Sequence, residues 1–70
     1  MNTNATSIRD ARRIVRGWAG TSELSDSVID VVARSLVDHC GGFTGRGCDI
    51  TDELTESFDL WAEIDAAEGK

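Results

Sequence analysis

The sequence lacks proline and tyrosine altogether and contains one lysine, one histidine and one methionine among its 70 residues. A disordered chain usually has more helix breakers and fewer aliphatic residues than the 40% hydrophobic content found here, so we expect a folded protein. The sequence also lacks any apolar stretch near the roughly 20 residues that a membrane-spanning helix requires. Its opening residues, MNTNATS, have neither the basic start nor the apolar run of a secretion signal, which favours a cytoplasmic protein without a membrane contact.

The shortness of the chain limits how it can be stabilised. Its 70 residues predict a single domain over 1–70, close to the size below which one core needs help from a disulfide, a metal or a partner. A homodimer or a tightly bound target is consistent with that size. Six arginines against one lysine indicate a GC-rich genome, which favours a bacterium or its phage as the source and, for a phage protein, the host cytoplasm as its location.

Acidic charge is concentrated in the C-terminal third of the chain. The formal net charge is −6, and it divides into +3 over residues 1–20, −2 over residues 21–48 and −7 over residues 49–70. A field of this sign repels nucleic acid and attracts basic surfaces. We therefore expect a basic protein surface as the partner and no direct contact with nucleic acid.

Three segments have apolar residues at the spacing of amphipathic helices. The predicted helices cover residues about 7–19, 23–40 and 51–67. Ser7 and Gly20 are suited to begin and end the first helix, and Ser25 is one of three residues that could cap the second. Residues 1–6 are expected to be frayed and residues 41–50 to form a glycine-rich loop. The pattern predicts an all-α fold, a small antiparallel three-helix bundle.

The polar face of the first predicted helix is basic. It consists of Arg9, Arg12, Arg13 and Arg16. We expect part of this face to pair with the acids of the third helix inside the bundle, and the alternative is a second contact surface for a partner. Arg34 in the second helix stands between two candidate partners, Asp30 and Asp38, each four residues away.

The third predicted helix has an apolar face and an acidic stripe. The apolar face comprises Ile50, Leu54, Phe58, Trp61 and Ile64, and the stripe comprises Asp52, Glu56, Asp59 and Glu63. We expect Trp61 to pack in the core, as we do for Trp18 in the first helix, and the alternative is that the two tryptophans anchor a partner. Leu60 falls between the two faces, and an apolar residue that borders charge is common in protein interfaces.

The stretch HCGGFTGRGCD, residues 39–49, allows several interpretations. A disulfide between Cys40 and Cys48 would contribute roughly 2–3 kcal/mol, but the cytoplasm keeps thiols reduced. Zinc is disfavoured because the spacing of His39 and the cysteines does not match paired zinc ligands, and a cysteine nucleophile lacks an orienting group. We expect Cys40 to be a small core residue, the glycines to supply turns and Phe43 to pack on the core. No metal and no cofactor are expected.

Two alternatives assign the chain to other functional classes. The segment DSVIDVV, Asp26–Val32, is similar to the Asp-Ser start of the second helix in acyl carrier proteins, which implies phosphopantetheine on Ser27. The long loop that precedes this helix in that family is missing here, and leucine does not follow the Asp-Ser pair. The helices around WAGTSELS could form a helix-turn-helix regulator, but Glu23, Asp26 and Asp30 would face phosphate.

These observations favour a small acidic module that binds and blocks another protein. In size, acidity and inferred source the chain resembles anti-CRISPR and other phage anti-defence inhibitors. The contact residues that we predict are Asp52, Glu56, Asp59, Leu60 and Glu63. Their carboxylates would take the place of phosphates on a surface that normally holds nucleic acid. No part of the sequence supplies a nucleophile, a base and a pocket together, so we expect a protein that is not an enzyme.

Overall fold

The computed structural model describes residues 3–20 and 24–69, and in this part of the chain it contains four helices and two short strands. In chain order they are β1 (Thr3–Ala5), α1 (Ile8–Ala19), α2 (Asp26–His39), β2 (Cys48–Ile50), α3 (Asp52–Ser57) and α4 (Leu60–Glu68). The mainly helical character predicted from the sequence is confirmed. The three-helix bundle is not, because two helices replace the third one and a small sheet is added.

The first two helices begin and end where the capping residues predict. Ser7 caps α1 by accepting a hydrogen bond from the backbone N–H of Asp10 at 3.3 Å, and Gly20 ends the helix with a positive φ of 71°. Ser25 caps α2 by accepting from the backbone N–H of Val28 at 3.3 Å. The second helix therefore starts at Asp26, not at residue 23. Residues 21–23, which include the other two candidate caps, lie outside the described residues.

The core lies between α1 and α2 and is closed by α4 and the sheet. Its fully buried side chains include Val15, Ile29, Val32, Leu36, Ile50 and Ile64. Burial of aliphatic side chains of this size is the main stabilising contribution in a small domain. None of the helices in residues 3–20 and 24–69 has the length and apolar character needed to cross a membrane.

The two strands form an antiparallel pair from segments that we expected to be a frayed end and a loop. Thr3 pairs with Ile50, Asn4 with Asp49 and Ala5 with Cys48. Ala5, Cys48 and Ile50 are buried, so one face of this small sheet belongs to the core. Residues 1 and 2 of the segment expected to be frayed lie outside the described residues.

A disulfide joins the end of α2 to the start of β2. It links Cys40 and Cys48, whose Cα atoms are 6.3 Å apart. Our expectation of Cys40 as a reduced core residue is therefore wrong, and the disulfide alternative describes the structure. Within the closed loop Phe43 is 43% exposed and does not pack fully on the core as we expected.

Gly47 fits the loop tightly against β1. Its φ is +87°, and a Cβ built on it would lie 2.5 Å from the backbone oxygen of Ala5. A side chain at this position would meet backbone, which cannot move aside easily, and only glycine adopts such a φ without strain. The glycine thus allows the loop and β1 to approach each other.

The third predicted helix is interrupted at Phe58 and Asp59. Both residues have extended backbone conformations, with φ and ψ of −100° and 114° for Phe58 and −84° and 91° for Asp59. The Asp59 carboxylate then caps α4 by accepting from the backbone N–H of Ala62 at 3.1 Å. An aspartate that we assigned to an acidic stripe on a continuous helix therefore starts a new helix.

Candidate partner-binding surface

The interruption before α4 changes which side of this helix faces the core. Leu60 and Ile64 are buried, whereas Trp61 is 54% exposed. Leu60 therefore belongs to the core and is not available as the contact residue that we predicted. The expected core position of Trp61 is also wrong, because the apolar periodicity of residues 50–64 does not continue through the extended residues.

Trp61 lies on a side of α4 that also carries acidic residues. Asp65 and Glu68 follow it at four and seven residues, a spacing that places side chains along one side of a helix. Both acidic residues are exposed. This side of α4 combines negative charge with a tryptophan, a residue type that is enriched at protein interfaces.

The four predicted stripe carboxylates are distributed over two helices. Asp52 and Glu56 belong to α3, Asp59 caps α4 and Glu63 lies in the first turn of α4. Asp52, Glu56 and Asp59 are exposed, and Glu63 is half-buried. The structure therefore places three of the four at the surface but not along one continuous helix.

Two arginines of the basic face pair with α2 and not with the acidic C-terminal segment. Arg12 lies 3.1 Å from the Asp30 carboxylate, and Arg16 contacts the Asp26 carboxylate. Our expectation of pairing within the fold is met in part, but with a different helix. Arg9 and Arg13 are exposed and form no ion pair with any residue in 3–20 or 24–69.

Asp30 connects the basic face of α1 with an arginine on α2. Its second carboxylate oxygen accepts from Nε of Arg34 at 2.8 Å, while Arg12 binds the first. The hydrogen bond from Arg34, together with the charges of Arg34 and Arg12, holds the pKa of Asp30 below its ordinary value. Of the two partners that the sequence offers to Arg34, the structure selects Asp30.

A second exposed region lies where α2 meets the disulfide loop. A shallow depression of about 280 Å³ is lined by Ile8, Arg34, Val37, Asp38, Gly42 and Phe43. Phe43 stands at its edge, and Val31, on the outward side of α2, is 48% exposed. The sequence pattern does not indicate this region, because it places Phe43 on the core and Val31 in a largely buried helix.

His39 and Ser57 form a polar contact between the end of α2 and the end of α3. Nε2 of His39 lies 2.8 Å from the Ser57 hydroxyl oxygen. The Ser57 hydroxyl oxygen also lies 2.9 Å from the carbonyl oxygen of Leu54, to which it can donate. Which of the two side chains donates in the His39–Ser57 contact depends on the tautomer of His39.

The remaining candidates from the sequence are Ser27 and the metal ligands. Ser27 is exposed near the start of α2, with its hydroxyl 3.2 Å from that of Ser25. Among the described residues 3–20 and 24–69, no three or more histidine, cysteine, aspartate or glutamate side chains are grouped to hold a metal ion.

Comparison of the chain with protein-family models, with curated proteins and with solved structures gives no match.

Proposed function

We propose that the protein binds a basic surface of another protein through α4 and blocks it. The concrete form of this proposal is a phage anti-defence inhibitor, similar in character to anti-CRISPR proteins, that acts in the host cytoplasm. The observation that carries it is the exposed Trp61 in a segment whose formal charge is −7. If the target surface normally holds nucleic acid, carboxylates of this segment take the place of phosphates.

In the described part of the chain, the charge of this segment is not neutralised by ion pairs with the basic face of α1. Arg12 and Arg16 pair with α2, and Glu56, Glu63 and Asp65 form no ion pair with any residue that the structure describes. Negative charge that is not neutralised steers a basic partner and raises the rate of association. The negative charge of this segment thus favours association with basic partners before close contact forms.

Trp61 supplies the short-range part of the proposed interaction. Tryptophan is enriched among the interface residues that contribute most to affinity, because its large side chain is removed from water on binding. A lysine or arginine of the target placed over the indole would add a cation–π contribution of about 0.5–2 kcal/mol. A surface rich in such cations therefore fits both the ring and its acidic neighbours.

The test uses a tagged protein, a bacterial lysate and matched surface variants. We expect a nucleic-acid-binding protein to be retained at low salt, to elute as salt rises and to release its nucleic acid when the acidic protein is added. Trp61→Ala and the triple change of Glu56, Glu63 and Asp65 to lysine should each abolish this displacement. Gly45→Lys is the control, because it adds a lysine outside residues 49–70 at an exposed position where a side chain meets no neighbour.

Displacement that survives both Trp61→Ala and the triple lysine variant would contradict the proposal. The assay is run with and without reductant, because thiols in the cytoplasm are kept reduced and the Cys40–Cys48 bond would open there. If displacement occurs without reductant and is lost when reductant is present, the cytoplasmic location is rejected. The binding surface proposed on α4 is not rejected by that result.

A second candidate function is a carrier protein modified on Ser27. It is favoured by the exposed position of this hydroxyl near the N-terminus of α2. Incubation with a phosphopantetheinyl transferase and coenzyme A should then add the mass of the prosthetic group, and Ser27→Ala should remove the shift. An unchanged mass rejects this function.

A further inference from the structure

The outward side of α2 carries a cation and an anion one helical turn apart. Arg34 and Asp38 are both exposed, and Val31 lies one turn before Arg34 on the same side of the helix. Val31 and Phe43, which follows the helix, are 48% and 43% exposed. We call this set of four residues, Val31, Arg34, Asp38 and Phe43, the α2 face.

The Arg34 side chain is held in place with its outer end open. Its Nε donates to Asp30 at 2.8 Å, and Asp30 is itself fixed by Arg12 at 3.1 Å. The two terminal amino groups of the guanidinium are not used in this contact, and the side chain is 65% exposed. A side chain that is already ordered loses less entropy when it binds, so this cation is prepared for a second carboxylate.

Asp38 is the complementary group on the same face. It is exposed and forms no ion pair with any residue in 3–20 or 24–69, since Arg34 is turned towards Asp30 instead. The face thus presents an ordered cation and, one turn later, an anion that is not paired with any described residue.

We propose that the α2 face binds the α2 face of a second copy of this chain, with the two helices antiparallel about a two-fold axis. The axis passes between Arg34 and Asp38, so that Arg34 of each copy meets Asp38 of the other and two equivalent ion pairs form. In this register Val31 approaches Gly41 of the other copy, where no side chain obstructs contact. Such a self-complementary surface is what a two-fold dimer requires.

A second copy fits this face better than an unrelated partner does. A uniformly basic surface would be repelled by Arg34 and a uniformly acidic one by Asp38, because like charges brought together weaken association. An antiparallel copy has the reversed charges at the required spacing, and it also covers the exposed Val31 and Phe43. The inference uses no residue of α4, so it does not depend on the function proposed for that helix.

Charge reversal tests the register directly by sedimentation of the full chain at several concentrations. We expect the unaltered protein to dimerise. Arg34→Asp leaves two acidic residues at positions 34 and 38, and Asp38→Arg leaves two basic residues there. Like charges would then meet across the interface, so each variant alone should raise the dimer dissociation constant by roughly tenfold or more. An equimolar mixture of the two variants should form a heterodimer, and the double variant R34D/D38R should dimerise again.

Arg46→Asp and Glu53→Arg, which make the same charge changes elsewhere, are the controls and should leave dimerisation unchanged. Val31→Arg is an independent test, because an exposed residue can be altered without disturbing the core and a bulky cation would prevent approach to Gly41. A protein that stays monomeric up to millimolar concentration overturns the inference. So does a dimer that tolerates the single reversals and Val31→Arg, or a mixture of the two reversal variants that remains monomeric.

Discussion

Leu60 and Trp61 are consecutive residues in the first turn of α4, yet Leu60 is 3% exposed and Trp61 is 54% exposed. Their roles follow from the extended conformations of Phe58 and Asp59, which set the orientation of α4 independently of α3. The smaller apolar side chain is used for the core and the larger one is left at the surface. Stability and binding are therefore expected to depend on different members of this pair.

Truncation of the two side chains should separate these roles. Leu60→Ala removes buried methyl groups and should lower the free energy of unfolding by about 2–5 kcal/mol. Trp61→Ala changes an exposed position, where most substitutions alter stability by only about 0.5 kcal/mol. Urea denaturation followed by circular dichroism measures both. A larger loss for Trp61→Ala than for Leu60→Ala would mean that the indole supports the fold.

The disulfide should stabilise the fold by an amount that reduction can measure. Closing the short loop between Cys40 and Cys48 limits the freedom of the unfolded chain, and its removal should cost roughly 2–3 kcal/mol. The double variant C40A/C48A in the absence of reductant and the unaltered protein in its presence should lose similar amounts in urea denaturation. Reductant should not affect C40A/C48A, which controls for other actions of the reagent.

Gly47 and Gly45 form a matched pair for testing the contact with β1. Gly47→Ala places a methyl group against the backbone of Ala5 at a positive φ, and strain of this kind costs about 1–3 kcal/mol. A Cβ on Gly45 meets nothing and its φ is not in the left-handed region, so Gly45→Ala should be nearly neutral. Amide hydrogen exchange in Thr3–Ala5 should accelerate in the first variant only. Equal exchange in both variants would show that β1 does not depend on Gly47.

Acid should weaken two local structures that depend on ionised aspartates. The pKa of Asp10 is lowered because Thr6 donates to its carboxylate through the side-chain hydroxyl and the backbone N–H, and the pKa of Asp30 is lowered chiefly by its hydrogen bond with Arg34. A pKa lower in the folded state than in the unfolded state adds stability above the ordinary aspartate pKa. This stability is lost as the pH falls through the lowered value.

Thermal denaturation between neutral pH and pH 2 measures this effect. Asp10→Asn and Asp30→Asn should each give a shallower loss of stability on acidification than the unaltered protein. Asp65→Asn, which removes an exposed acid that makes no ion pair with the described residues, should leave the slope unchanged. Parallel slopes for all four proteins would mean that neither contact persists in solution.

The parts of the fold that the sequence predicts are those that depend on near neighbours. Ser7 and Gly20 bound α1 because a hydroxyl that accepts from a helix N-terminus and a glycine with positive φ act within a few residues. The pairing of Thr3–Ala5 with Cys48–Ile50 joins distant segments of three residues each, too short for an alternating pattern to be recognised. Local patterns carry no information on such a pairing.

The candidate surface was predicted in its charge but not in its arrangement. Asp59 suits both an acidic helix face and a helix N-cap, and only the second use interrupts the helix. Once the helix is interrupted, Leu60 faces the core and Trp61 faces solvent, which a continuous helix does not predict. The choice between the two uses of Asp59 depends on how Phe58 packs against Trp18 and His39, whose rings lie 5.9 and 5.5 Å from its own, and this is a tertiary contact.

The antiparallel pairing of Thr3 with Ile50 also sets an order of events during synthesis on the ribosome. The helical hairpin of α1 and α2 involves contacts between near neighbours in the chain, which form quickly once residues up to His39 have emerged. Strand β1 leaves the ribosome before either helix but has no strand to pair with until Cys48–Ile50 has followed. Of the described elements, β1 therefore waits longest for its native neighbour.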